Sequence, residues 1–390
     1  MYTKSQRVAN IPPYLFSEIN RKKQALIEQG VDVIDLGIGC PDLPTPPHIV
    51  NRLIEEMKDP NNHKYSGYSG CLEFRKAVAQ FYKERFNVEL DPETEVLTLI
   101  GSKEGIANFI TASVDPGDVV LLPDPGYPTY QTATILADGT PYSMPLLREN
   151  QYFPDFANIP DPIKEKAKVM FLNYPGNPTA ASADQSFFQK AVDFARQNQL
   201  TIAHDAAYQM VTYDGYKAPS ILQADGAKDV AIEFGSLSKT YAMTGWRIGY
   251  AVGNKEALKA LSVVKSNVDT SQFLPIQKAA ATALSADQAC VSEYNEIYKQ
   301  RRDGVLKALH ELGIQADCPK GGFFIWASVP KGYSSSKFVS TVLEKAGVIV
   351  TPGTAFGDHG EGYFRLSLSV PTERLQEAID RIKSNLALSV

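Results

Sequence analysis

From Glu95 to Gly253 the chain alternates short β-rich runs with stretches long enough for a crossover helix, and this alternation limits the fold more than any other feature. The runs are Val96 to Ile100, Val119 to Leu122, Val169 to Leu172, Leu200 to Ala203, Ala231 to Phe234 and Ile248 to Val252. Between them lie segments such as Lys103 to Val114 and Gln185 to Asn198. A connection of that length returns the chain to the same end of a sheet, so successive strands pair in parallel. The pattern predicts an α/β fold, with a mostly parallel sheet covered by helices on both faces.

The C-terminal third changes character. A long helical reading from Pro275 to Leu312 is followed by runs at Phe323 to Val329, Val348 to Thr351 and Tyr363 to Ser369, then a last helix, which predicts a smaller α+β lobe. The division that follows is 46–274 for the large lobe and 275–390 for the small one. Segment 1–45, with its own helix from Phe16 to Gln29, is assigned to the small lobe, although the sequence alone accommodates it in either.

Composition narrows the partners. With 39 Lys and Arg against 44 Asp and Glu, the net charge of −5 gives no electrostatic reason for nucleic acid or an anionic membrane as partner. Small molecules become the expected ligands. The four cysteines (Cys40, Cys71, Cys290, Cys318) never form C-x-x-C, and the five histidines never reach H-x-x-x-H spacing, so no metal site is expected. No apolar run reaches the roughly 20 residues that a bilayer requires. The first 16 residues lack a leader's apolar block, so a cytoplasmic protein is expected.

In an open α/β sheet, ligands bind beyond the carboxyl ends of the parallel strands. Five consecutive strand ends here carry polar or turn-forming residues. They are Gly101-Ser102-Lys103, the turn Asp124 to Pro128 around Tyr127, the turn Asn173 to Pro178 around Asn177, His204-Asp205 with Tyr208 just beyond, and Ser236-Leu237-Ser238-Lys239. A glycine at a helix N-terminus admits an anion to exposed amides, and Arg247 adds a bidentate donor. Taken singly, each has a plainer reading: Ser102 as a helix cap, Asp205 as a cap, Tyr127 as core, Arg365 as a salt-bridged sheet residue.

The pattern Ser236-x-Ser238-Lys239-x-x-x-x-x-Gly245-x-Arg247-x-Gly249 carries six identities, and its chance occurrence is on the order of one in ten thousand or less. It resembles the lysine signature of class I/II pyridoxal-phosphate aminotransferases of fold type I. The resemblance runs from Ile34–Gly39 to Phe364–Ser367, nearly the whole chain. It implies a large domain with a mostly parallel seven-stranded sheet, a smaller α+β domain, pyridoxal 5'-phosphate as cofactor and a homodimer with shared active sites. It also implies ping-pong transfer of an amino group from an L-amino acid to a 2-oxo acid, 2-oxoglutarate or pyruvate.

By that resemblance Lys239 would hold the cofactor as a Schiff base and Asp205 would face its ring nitrogen. Tyr208 and Asn177 would bond the ring's phenolic oxygen, and Tyr127 would stack on the ring. Gly101, Ser102, Lys103, Ser236, Ser238 and Arg247 would surround the phosphate, with Tyr65 reaching it from the partner subunit. Arg365 would clamp the substrate carboxylate, with Asn177, Gly39 and Tyr14 beside it. An ionised carboxylate about 4 Å from the ring nitrogen favours the protonated ring by about 4 kcal/mol at an effective dielectric near 20, which makes the ring an electron sink. His204 is given no primary role.

Pro12–Phe16 and the turns at Gly101 and Asp124 look like the branch holding LL-diaminopimelate aminotransferases and their methionine-type and aspartate-type neighbours. There are two departures. Ala180 stands where many relatives have glycine after Asn-Pro-Thr. The loop Ser66 to Gly70 lacks the acidic residue with which diaminopimelate-specific relatives usually pair the distal ammonium, which weighs against diaminopimelate. The competing readings are a carbon–sulfur or other amino-acid lyase on the same cofactor and a non-catalytic module on the same scaffold. A phosphate-loop nucleotidase fails because Glu233 occupies the first glycine position. A dinucleotide fold fails because Asp42 stands where the third glycine of the Gly37-Ile38-Gly39 run belongs.

Overall fold

The structure, a computed structural model, describes residues 3–11 and 15–386, with the backbone alone over 15–20. Its centre is a seven-stranded sheet in the order Val96–Leu99, Gly249–Gly253, Ala231–Ser236, Thr201–Asp205, Ala167–Leu172, Val119–Asp124, Thr140–Pro145. Gly249–Gly253 runs antiparallel to both neighbours, and the other pairings are parallel. The expected mostly parallel sheet is therefore present. The edge strand Thr140–Pro145 is absent from the sequence runs because Pro141 and Pro145 interrupt its β pattern, and an edge position is where prolines are tolerated.

The inner strands feed two cores. Val119, Leu121, Met170 and Leu172 point into one apolar cluster, whereas Val120, Leu122, Val169 and Phe171 point into the other, as the period of two requires. The helix Gln185–Gln197 covers the first face. Asp184 caps it by accepting from the Phe187 amide at 2.9 Å, and its buried Phe187, Phe188, Ala191, Val192 and Ala195 repeat at helical spacing. Ser102–Ser113 and Lys255–Val268 cover the second through Ile106, Phe109, Leu258 and Leu261.

A second sheet of three antiparallel strands, ordered Thr351–Pro352, Tyr363–Ser367, Phe324–Ser328, packs with Ser335–Ala346 and Thr372–Asn385 around its own core. Ile34–Asp35 pairs in parallel with Val348–Ile349, which joins the N-terminal segment to this part of the molecule. The long helix expected from Pro275 to Leu312 is two helices, Leu274–Ser285 and Ala289–Glu311. The second starts afresh where Asp287 accepts from the Ala289 amide. Ala279, Ala280 and Leu284 of the first belong to the large sheet's core. Among the described residues no helix is long and apolar enough to cross a membrane.

Candidate active site

A cleft of about 420 Å³ opens at the carboxyl ends of the parallel strands. Ser102, Lys103, Tyr127, Asn177, Asp205, Tyr208, Ser236, Ser238, Lys239, Arg247, Arg365 and Gly39 all line it, so twelve separated positions from the sequence reading share one space. Gly101 forms part of its wall. With φ 75° it takes the cap position expected of Ser102, and a β-carbon there would stand 2.3 Å from Nη2 of Arg247. Only glycine lets the guanidinium close over the helix start. Tyr65 stands 88% exposed and is not a wall of its own chain's cleft. Tyr14 lies outside the described residues.

Lys239 sits on the short helix Leu237–Thr240, directly after the strand Ala231–Ser236, and its Nζ donates to the Gly39 carbonyl at 2.8 Å. Burial pulls its pKa down to about 8, and the guanidiniums of Arg365 and Arg247 act in the same direction. A pKa of about 8 gives the amine a far larger neutral fraction at ordinary pH than an exposed lysine has. Asp205 ends the strand Thr201–Asp205 fully within the fold, and burial pushes its carboxyl above the usual range. The Tyr130 hydroxyl at 2.8 Å and the Ala207 amide at 3.3 Å oppose that shift by donating to it. Burial also drives the Tyr208 phenol well up, which keeps it a neutral hydrogen-bond donor.

Arg365 projects from Tyr363–Ser367. Its Nη1 donates to Asn177 Oδ1 at 2.6 Å and its Nη2 to the Gly37 carbonyl, while Phe324 and Phe356 lie 4.1 and 4.6 Å from its guanidinium carbon. Aromatic faces on both sides fix the plane of the fork without consuming its donors. His204 points away from the cleft, as alternation from Asp205 dictates. Its Nδ1 lies 2.8 Å from Glu233 Oε2, among donors from Tyr82, Ser220 and the Ile221 amide.

Sequence reasoning missed Tyr130, Asn173, Cys40, Thr244 and the two phenylalanines around Arg365. Asn173 accepts from the Asn177 amide at 2.7 Å and donates to the Asp205 carbonyl at 2.7 Å, so it spaces two strand ends. Tyr130 lies in the first turn of the helix Thr129–Leu136, which Tyr127 precedes, and the two rings meet edge-on at 5.7 Å. Cys40 and Thr244 sit 3.6 Å apart by sulfur and hydroxyl, from segments that no local pattern connects.

Residues 31–382 match the family model for aminotransferase class I and II. The chain is 53% identical to the LL-diaminopimelate aminotransferase of Aquifex aeolicus, over 98% of this chain and 99% of that one. It is 51% identical to the enzyme of the same name from Desulforudis audaxviator, over 99% and 98%. Among solved structures, substrate-bound BacF from Bacillus subtilis superposes with a TM-score of 0.96 at 39% identity, covering all of both chains. A double mutant of Thermus thermophilus aspartate aminotransferase reaches 0.93 at 30% identity, covering 99% of this chain and all of that one.

The cleft fits the cofactor that these enzymes share. It offers a half-buried amine, a buried carboxylate to face a ring cation, and a glycine turn whose open side would be filled by a single β-carbon. These comparisons and this geometry together establish that the chain belongs to the class I and II aminotransferases, enzymes of fold type I that work with pyridoxal 5'-phosphate.

Proposed function

We propose that the enzyme moves the α-amino group of an L-amino acid to a 2-oxo acid, 2-oxoglutarate or pyruvate, by a ping-pong route. LL-diaminopimelate is the first donor to test. Full-length identity of 47–53% to eight enzymes named for that substrate supports this choice more strongly than the missing acid in loop 66–70 opposes it. The observation that carries the reading is Lys239 with its depressed pKa, in one cleft with Asp205 and Arg365. When bound, pyridoxal 5'-phosphate supplies an aldehyde and an electron-withdrawing ring.

The chain's residues divide the remaining work. Lys239 Nζ would hold the cofactor through its aldehyde carbon. Freed when the substrate amine takes its place there, the neutral Nζ would accept the proton from the substrate α-carbon and deliver it to that same cofactor carbon. Asp205 would keep a proton on the ring nitrogen, while Asn177 and Tyr208 would hydrogen-bond the phenolic oxygen and Tyr127 would pack on the ring face. Ser102, Lys103, Ser236, Ser238 and Arg247 would hold the phosphate around Gly101. Arg365 would bind the α-carboxylate of donor and acceptor in turn, with Asn177 and Gly39 bordering the substrate. Overall, an amino group and a keto oxygen change places, with no external oxidant.

Tyr65, Tyr68, Val268 and Phe273 are exposed, and the His63 and Phe273 rings meet edge-on at 5.5 Å, so loop 63–68 and segment 268–273 make one apolar patch. We assign a second copy of the chain to this patch, with Tyr65 entering the neighbouring cleft. Purified enzyme supplied with twenty L-amino acids and LL-diaminopimelate, with each acceptor, tests the activity. The expected result is one 2-oxo acid formed per acceptor aminated. Pyruvate and ammonia released without any acceptor would make the protein a lyase instead.

A further inference from the structure

Arg247 carries its guanidinium to the cleft from a backbone in the left-handed region, at φ 54°. That conformation is unfavourable for a residue with a β-carbon and survives only where the surroundings enforce it. Gln272 enforces it here. Its Nε2 donates to the Arg247 carbonyl at 3.0 Å and to the Leu99 carbonyl at 2.9 Å, which uses both N–H groups of the amide. Leu99 ends its strand two residues before Gly101. One side chain therefore ties together the two backbones that carry opposite walls of the anion cup.

The amide is itself held in that orientation. Ser271 Oγ donates to Gln272 Oε1 at 2.7 Å, and the Ser271 amide donates to Asp269 Oδ1, which takes the Nζ of fully buried Lys265 at 2.7 Å. On its backbone side, the Gln272 carbonyl accepts from Gln277 Nε2 at 2.6 Å. That nitrogen also donates to the hydroxyl of Ser66, the neighbour of Tyr65.

We propose that Gln272 is a positioning residue. It sets the distance between Arg247 and the Gly101–Lys103 turn for a phosphate dianion, and it registers the Tyr65–Gly70 loop against that cup. It acts through Arg247 and touches neither cofactor nor substrate. The inference rests on the proposed phosphate role of residues 101–103, 236, 238 and 247.

The test compares dissociation constants of pyridoxal 5'-phosphate and phosphate-free pyridoxal from the cofactor-free full-length enzyme. Gln272→Met keeps the side-chain length and removes both donors. Gln272→Glu sets a carboxylate against two carbonyl oxygens. The expected result for Gln272→Met is about tenfold weaker binding of the phosphorylated aldehyde with less than about a twofold change for pyridoxal, and a larger gap for Gln272→Glu. Equal losses for both aldehydes, or no loss for either, overturn the proposal. Arg247→Ala tests the reading underneath. If it shows no phosphate-dependent loss, the cup assignment fails. If it shows one and Gln272→Met does not, the positioning role alone fails. Should Gln272→Glu not fold, the uncharged, near-isosteric methionine variant decides.

Discussion

The Tyr130 hydroxyl donates to Oδ2 of Asp205 at 2.8 Å, and it is the strongest of the contacts holding that buried carboxyl down against the effect of burial. Removing it raises the carboxyl pKa further. Tyr130→Phe is therefore expected to shift the acid limb of the activity profile upward and lower turnover about tenfold. Asp205→Asn removes the charge itself and should cost about a thousandfold in turnover. Steady-state rates across pH check both; an acid limb unmoved in Tyr130→Phe would show that the bond does not govern the ionisation.

Lys239 titrates near 8 rather than at the ordinary 10.5 because burial disfavours its charge. The neutral amine is the reactive form, so its reactivity should climb as pH rises through about 8. Reductive methylation of the cofactor-free enzyme, followed at the Lys239 peptide, measures this directly. A midpoint near 10 would contradict it. Lys239→Ala should abolish transamination and the visible absorption of the bound cofactor.

Arg365 already has its plane set by Phe324 and Phe356. Arg365→Ala should raise the apparent KM for every amino donor and 2-oxo acceptor by about 10- to 100-fold, the worth of a charge-assisted pair. An unchanged KM for any good donor would count against the carboxylate clamp. Phe324→Leu, which loses one stacking face, should give a smaller rise of the same kind.

Ala180 explains a departure visible in the sequence. Its φ is 55°, in the region that favours glycine, and it is buried with its amide on the Gly176 carbonyl at 2.9 Å. Ala180→Gly should raise stability by about 0.5–1 kcal/mol, measured by urea unfolding. A loss of stability would mean that the methyl group's packing outweighs the backbone strain.

Glu233 is buried beneath the sheet beside His204. Burial pushes its pKa up, but hydrogen bonds from His204, Tyr82 and the Ile221 amide outweigh this and leave it below its ordinary value. A depressed carboxyl stabilises the fold above its unfolded pKa, near 4.5, and that contribution disappears as pH falls through the folded value. Glu233→Gln should cost about 3 kcal/mol at neutral pH, with the difference from wild type shrinking in acid. Unfolding curves at several pH values test the direction.

The legible and illegible parts of the molecule differ for physical reasons. Lys239, Asp205, Asn177 and the Gly101 turn follow strands whose apolar runs are unmistakable, so topology alone predicts that they converge. The strand Thr140–Pro145 and the break at Ala286–Gln288 leave no such trace: one carries prolines, and the other lacks both glycine and proline. Tyr130, Asn173 and Gln272 act through a second residue far away in the chain, Gln272 on Leu99 across 173 positions, and no local spacing encodes that partnership. The site's reagents can be read along the chain, but their supports cannot.

Six of the seven central strands share one direction, and their carboxyl ends form a single rim that carries Asp205 and, on the short helix directly after Ala231–Ser236, Lys239. Ile38 to Cys40 and loop 66–70 reach that rim from outside the sheet. Lys239 Nζ donates to the Gly39 carbonyl, and Gln277 ties Ser66 to the Gln272 carbonyl, so a displacement of either outer segment is passed on to the rim that carries the amine and the acid.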